Sequence, residues 1–215
     1  MPAMLMRFTR WCALWTRIDR AHKANVPFND LIPRYREAQR DYHRLPHIDA
    51  MFIDFDKFRV SDEAGIMDVN IVEMATWYHD AIYVPREERN EERSANFFRL
   101  VSDHAGFEQD FTERVVRAIL ATKHVCRTDD VDAQVLCDLD LAILGQPRSQ
   151  FMEYERQIRS EYSWVPPQQF RNRRCEILEG FLNRQPIYST KFFRRKYEEQ
   201  AVRNLEFSIE QLSRS

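Results

Sequence analysis

Glycine is scarce in this sequence, and a sheet-rich fold needs it. Only four of the 215 residues are Gly, whereas the tight turns between strands place Gly wherever the backbone requires a positive φ. The residues that replace it, such as Arg, Glu, Leu, Ala and Gln, have high helix propensity. The composition therefore predicts an all-α fold, and the length predicts a single domain over residues 1–215.

The sequence also lacks long apolar runs, an excess of one charge and paired cysteines. No apolar run approaches the roughly 20 residues of a membrane-spanning helix, so no membrane partner is expected. A formal net charge of −2 gives no electrostatic argument for binding nucleic acid. The four Cys have neither the spacing of a metal site nor that of a disulfide framework, which predicts reduced thiols in a cytoplasmic protein.

Apolar residues recur at helical spacing along most of the chain. In residues 108–124, for example, Phe111, Val115 and Ala118 share one face. The predicted helices run near residues 5–20, 29–43, 46–58, 66–83, 88–104, 108–124, 130–144, 147–162, 167–184 and 189–212.

The pair Pro166-Pro167 marks the best internal boundary, because it cannot continue a helix. We therefore expect a core over about residues 30–165 and a C-terminal helical extension over about residues 166–215.

The stretch "ATWYHDAIY" places His79 and Asp80 side by side in an apolar run. Burying either group without a partner costs several kcal/mol. Two interpretations follow: the pair is hydrogen-bonded within the core, or both side chains bind one cation.

Two further histidines lie close together in "DYHRLPHIDAM". His43 and His47 are four residues apart, the spacing of a metal-binding pair on one helical turn. Pro46 argues against that arrangement, because proline is best placed in the first turn of a helix. His47 is then expected at the start of a new helix with its side chain inward, and His43 in the preceding turn.

The segment "VLCDLDLAILG" carries two acids in an apolar setting. It is apolar nearly all round, which predicts a central helix. Asp138 and Asp140 are about 200° apart on such a helix and cannot both face one point. Periodicity alone does not choose between them.

The order of these motifs resembles the HD superfamily of metal-dependent phosphohydrolases, which is named for its ligand order His…His-Asp…Asp. The similarity covers roughly residues 30–190 and is closer to a compact branch of predicted phosphohydrolases of unassigned substrate. Its pattern is matched here by "RDYHRLPHI", "WYHDAIY", "NEERSA", "ATKH", "DLDLAILG", "YERQIRSEY" and "FLNRQPIY".

The resemblance implies an HD-domain helical bundle with additional C-terminal helices and one divalent metal ion. The implied ligands are His47, His79, Asp80 and Asp140, and Asp138 becomes a supporting or capping acid. Two imidazoles and two carboxylates suit Mn²⁺, Fe²⁺, Co²⁺, Ni²⁺, Zn²⁺ or Mg²⁺.

The implied activity is hydrolysis of a phosphomonoester or phosphoanhydride of a small molecule, with nucleotides among the candidates. His43 and Glu91 adjoin ligand-bearing segments and are the candidates for general acid–base catalysis. Arg40, Lys123 and His124 are the candidates for phosphate contact.

Two other functions stay open at this point. A non-catalytic module could keep the HD fold and bind a nucleotide or a protein partner. A helical scaffold could contain no metal at all.

Overall fold

Helices account for all of the regular secondary structure in the computed structural model, which describes residues 2–214. The all-α prediction is therefore confirmed. Ten α-helices span these residues: α1 Pro2–Arg17, α2 Asn25–Arg34, α3 Leu45–Phe58, α4 Val69–Tyr78, α5 Asn90–Ala105, α6 Gln109–Ala121, α7 Val131–Asp140, α8 Arg148–Glu161, α9 Pro167–Leu182 and α10 Lys191–Arg214. Within the same range, no helix combines the length and apolar character needed to cross a bilayer.

The centre of the fold is built around α4 and α7. Residues 71–78 of α4 are all buried, and this helix packs against α1, α3, α5, α6 and α7. The segment from Val135 was predicted to form a central helix as far as Gly145. Its first part lies in α7, where Val135, Leu136 and Leu139 are buried, but α7 ends at Asp140 and residues 141–145 form a 3-10 helix. Both central helices end at the same side of the core.

Several helix boundaries differ from the sequence prediction, and two of them, the ends of α2 and α4, bear on the candidate site. The second helix ends at Arg34 and not near residue 43. Further along, the backbone N–H groups of Asp41, Tyr42 and His43 bind the Glu161 carboxylate and not a helical carbonyl. The fourth helix ends at Tyr78 and not near residue 83. His79 and Asp80 therefore follow a helix end and do not lie within a helix.

The C-terminal helices are anchored to the end of α7. Asp138 accepts hydrogen bonds from the backbone N–H of Ser189, at 2.7 Å, and of Thr190, at 2.8 Å, immediately before α10. The Tyr188 hydroxyl donates to the carbonyl oxygen of Leu141 at 3.0 Å. Leu141 opens the 3-10 helix Leu141–Gly145, against which α10 packs.

Gly145 permits a close approach between this 3-10 helix and α10. A Cβ atom at residue 145 would lie 2.7 Å from the backbone oxygen of Tyr197, closer than packed atoms tolerate. We expect Gly145→Ala to lower the free energy of unfolding by about 1–3 kcal/mol, the usual cost of overpacking a core. Urea unfolding measures the change.

Gly180 in α9 is the matched control, because a Cβ atom there meets nothing within 4 Å. Gly180→Ala should raise stability by about 0.5–1 kcal/mol, since alanine loses less backbone entropy in a helix. Equal effects of the two substitutions would contradict this account of the α10 contact.

Candidate metal centre

Four ligand-type side chains meet where α3 begins and where α4 and α7 end. The Nε2 atoms of His47 and His79 are 3.2 Å apart. Asp140 Oδ1 lies 3.1 Å from His47 Nε2 and 3.7 Å from His79 Nε2. Asp80 Oδ2 lies 3.2 Å from His79 Nε2 and 3.8 Å from His47 Nε2.

Local structure sets the direction of each side chain. His47 is in the first turn of α3, with Pro46 just before it as the sequence indicated. Asp140 is the last residue of α7. The ring of His79 is fixed because Nδ1 lies 2.9 Å from the carbonyl oxygen of Thr76 and donates to it, which leaves the Nε2 lone pair facing the cluster.

The distances in this cluster fit a single ion. Bonds of about 2.1 Å place neighbouring ligand atoms about 3.0–3.4 Å apart around one metal. His47, His79 and Asp80 each offer one ligand atom, and these atoms lie within 4.8 Å of one another. Asp80 Oδ2 is buried and has no hydrogen-bond partner, an arrangement that costs free energy unless a cation compensates it. The cluster of His47, His79 and Asp80 could therefore hold a metal ion.

Asp140 and Asp138 bind different partners, and hydrophobic periodicity could not predict which of the two faces the cluster. The second Asp140 oxygen, Oδ2, lies 2.8 Å from Nε2 of His124, so His124 orients the carboxylate whose Oδ1 faces the histidine pair. His124 reaches this position from a backbone with φ of 54°, an uncommon value for a residue other than glycine. Asp138 points away from the cluster and binds the start of α10.

The charges in the cluster depend on one another. Burial opposes a positive charge on His79, but the carboxylates of Asp80 and Asp140 outweigh it and raise the pKa of His79 well above its usual value. Burial likewise opposes a negative charge on Asp140, but hydrogen bonds from His124, His47 and His79 lower its pKa. In the absence of a cation, the raised pKa of His79 favours a proton on that ring beside the two carboxylates, and a metal ion would take the place of this proton.

His43 is held beside the cluster by a buried carboxylate that sequence reasoning did not assign. Nδ1 of His43 lies 2.7 Å from Glu161 Oε2, which also accepts a 2.7 Å hydrogen bond from the Tyr83 hydroxyl. The His43 ring stacks on the Tyr83 ring with centroids 4.1 Å apart. Glu161 lies within the quoted "YERQIRSEY", but nothing in the sequence indicates a partner 118 residues away.

A cavity of about 750 Å³ opens above the cluster. The residues that line it include Asp80 and Asp140 of the cluster, and also His43, His124 and Glu91. Burial raises the pKa of Glu91, and the nearby Asp80 charge adds to this effect. The structure thus brings both candidate acid–base residues to the same cavity as the cluster.

Two of the residues expected to contact phosphate, Arg40 and Lys123, do not line this cavity. Arg40 is fully buried, and its guanidinium donates to the backbone oxygens of Asp80 at 2.8 Å and Ala81 at 3.1 Å. Lys123 pairs with Glu92 and does not line the cavity. Arg40 therefore supports the chain after α4, and of the three candidates only His124 faces the cavity.

Comparisons with protein-family models, with curated proteins and with solved structures found no match for this chain. The relation to the HD superfamily remains an expectation from the motifs quoted above.

We expect Glu161 to make the free energy of unfolding depend on pH in the acidic range. Burial alone would raise the pKa of this carboxyl, but its bonds to His43 and to the backbone outweigh burial and lower the pKa to about 2. A lowered pKa in the folded state stabilises the protein above the unfolded value of about 4.5 and loses that contribution as the pH falls towards 2. Glu161→Gln should therefore be less stable at pH 7 and lose less stability between about pH 5 and pH 3.

Urea unfolding at several pH values measures this difference. Glu153→Gln is the control on the same helix, because Glu153 is exposed and pairs with Arg156 at the surface. Parallel pH profiles for wild type and Glu161→Gln would show that Glu161 does not carry the effect.

Proposed function

We propose that this protein is a metal-dependent phosphohydrolase of the HD type, in which His47, His79, Asp80 and Asp140 bind one divalent cation. The observation that carries the proposal is the unpartnered Asp80 Oδ2 atom, which is buried beside two imidazole nitrogens at the floor of an open cavity. The mixed nitrogen and oxygen donors suit Mn²⁺, Fe²⁺, Co²⁺, Ni²⁺, Zn²⁺ or Mg²⁺. The substrate would be a small phosphorylated molecule that enters from the cavity.

The chemistry that such a cation supplies is activation of water and polarisation of a phosphoryl oxygen. The chain's own groups account for binding and proton transfer. His124 keeps one Asp140 oxygen occupied so that the other faces the histidine pair.

His43 is the best-placed group to move a proton. Glu161 binds Nδ1 and so fixes the ring, as a carboxylate does for a catalytic histidine in other enzymes. The opposing nitrogen, Nε2, is then the one available for the cavity. Burial opposes a positive charge on this ring, but the charges of Asp80 and Glu161 outweigh burial and raise the pKa of His43. Glu91 is the second candidate on the cavity wall.

Asp80→Ala tests the metal site directly. The change removes a ligand but no hydrogen bond of Oδ2, so we expect loss of bound metal and of phosphatase turnover with nearly unchanged helical content. Metal stoichiometry by mass spectrometry, circular dichroism and a phosphatase panel measure the three properties.

Asp138→Ala is the matched control, because Asp138 is also buried at the end of α7 but binds only the start of α10. It should retain metal while losing about 1–3 kcal/mol of stability through two unsatisfied backbone donors. Full retention of metal by Asp80→Ala would refute the metal site. Bound metal without turnover on any phosphate ester would favour the non-catalytic module.

His43→Asn separates proton transfer from metal binding. The asparagine amide can replace Nδ1 as a donor to Glu161 but offers no titratable ring. We expect kcat to fall about 10²- to 10⁴-fold, the usual contribution of general acid–base catalysis, with metal content unchanged. His22→Asn serves as the control, since His22 is exposed in a short 3-10 helix away from the cavity. An unaltered kcat in His43→Asn would exclude His43 from the chemistry.

A further inference from the structure

The cavity above the cluster is larger than a phosphoryl group requires. Its volume of about 750 Å³ falls in the range of sites that enclose a whole small molecule, about 300–1,000 Å³. The cluster occupies only the floor, formed by residues at the ends of α4 and α7. The other residues that line the cavity therefore contact the group attached to the phosphate and determine which substrate binds.

One wall is aromatic and only partly covered. It is formed by the turn after α8 and the first turns of α9, where Tyr162 lies 6.4 Å from both Trp164 and Phe170 between ring centroids. Trp164 keeps 47% of its surface exposed. Ile177, which lies seven residues after Phe170 in α9, keeps 37% exposed. We call Tyr162, Trp164, Phe170 and Ile177 the aromatic wall. Guanidinium groups lie over two of these rings, Arg86 at 5.0 Å from the Trp164 ring centre and Arg159 at 4.7 Å from that of Phe170. Aromatic rings and the guanidinium plane of arginine both stack on a planar ring.

The charged residues around the cavity do not form a cradle for a chain of phosphates. Arg86 lies over the Trp164 ring at 5.0 Å, and Arg173 pairs with Glu176 at 2.7 Å. Arg174 is buried and bound to Glu155.

The acids Glu87, Glu88 and Glu91 line the same cavity. Each additional phosphate beyond the first would meet these carboxylates. Of the arginines that line the cavity, Arg173 and Arg174 are paired with glutamates, and among the described residues Arg86 alone has no carboxylate partner.

We propose that the substrate is a phosphate monoester whose leaving group carries a flat aromatic ring, which binds against the aromatic wall, and that polyphosphates are excluded. This inference rests on the proposed function, since it takes the phosphate to lie at the cluster. In the reaction, the oxygen of water forms a bond to phosphorus, the ester P–O bond breaks, and a proton passes to the ring-bearing alcohol. The products are inorganic phosphate and that alcohol.

Phosphonates test the specificity separately from turnover, because their P–C bond is not hydrolysed. The probes are phenylphosphonate, methylphosphonate and methylenediphosphonate, titrated calorimetrically into the full-length protein loaded with Mn²⁺. We expect phenylphosphonate to bind about tenfold more tightly than methylphosphonate, within the range that stacking on an aromatic side chain provides. Methylenediphosphonate should bind more weakly than phenylphosphonate.

Trp164→Ala should abolish the preference for phenylphosphonate while leaving the affinity for methylphosphonate unchanged, and Trp164→Phe should restore part of it. Phe207→Ala is the matched control, because Phe207 is an aromatic residue under an arginine, with the Arg148 guanidinium 4.0 Å from its ring centre, and lies outside the cavity. Turnover of 1-naphthyl phosphate and of nucleoside 5′-monophosphates, each compared with glycerol phosphate, then identifies whether a simple aryl group or a nucleobase supplies the ring.

The outcomes distinguish this inference from the proposed function. Equal binding of phenylphosphonate and methylphosphonate, or tighter binding of methylenediphosphonate, would overturn the specificity and leave the phosphohydrolase proposal standing. Binding of none of the three probes to the metal-loaded protein would overturn both.

Discussion

Two imidazoles and the Asp80 carboxylate are buried beside the partly exposed Asp140 carboxylate where three helices meet, and the arrangement around them is set by the need to stabilise these groups. Asp80 Oδ2 has no hydrogen-bond partner, whereas Asp140 is bound by His124 and lies against His47. Buried charges without full compensation cost several kcal/mol. The site can persist only because the rest of the chain holds the three helix ends rigidly in place.

Arg40 and Glu161 provide much of that rigidity. Both are buried, and both bind the backbone more than other side chains. Arg40 binds the carbonyl oxygens immediately after α4, which fixes the chain at Asp80. Glu161 binds the segment that leads into α3 and so fixes the approach to His47. Charge-assisted bonds of this kind are stronger than neutral ones, and the irregular segment between α2 and α3 therefore has a defined conformation without being a helix.

The same contacts explain what the sequence could and could not predict. Hydrophobic periodicity located every α-helix, because an amphipathic or buried face is a local property of the sequence. The predicted ends of α2 and α4 were wrong. The irregular segments that follow them are held by Arg40 and Glu161, whose partners are distant along the chain and leave no local pattern. Pro46 correctly placed His47 at a helix start. The choice between Asp138 and Asp140 needed the positions of α10 and His124, which no local pattern contains.

The geometry of His79 bears on the two explanations for a buried His-Asp pair. In a purely hydrogen-bonded core, each ring nitrogen would have a partner, and the neighbouring carboxylate would accept a bond. Here Nδ1 donates to Thr76, and Nε2 faces the Nε2 atom of His47 at 3.2 Å, so a single proton at most can lie between the two rings. Asp80 Oδ2 remains without a bond on the same side. A cation shared by the two nitrogens and the carboxylate oxygens compensates all of these atoms at once, whereas protons compensate only some of them.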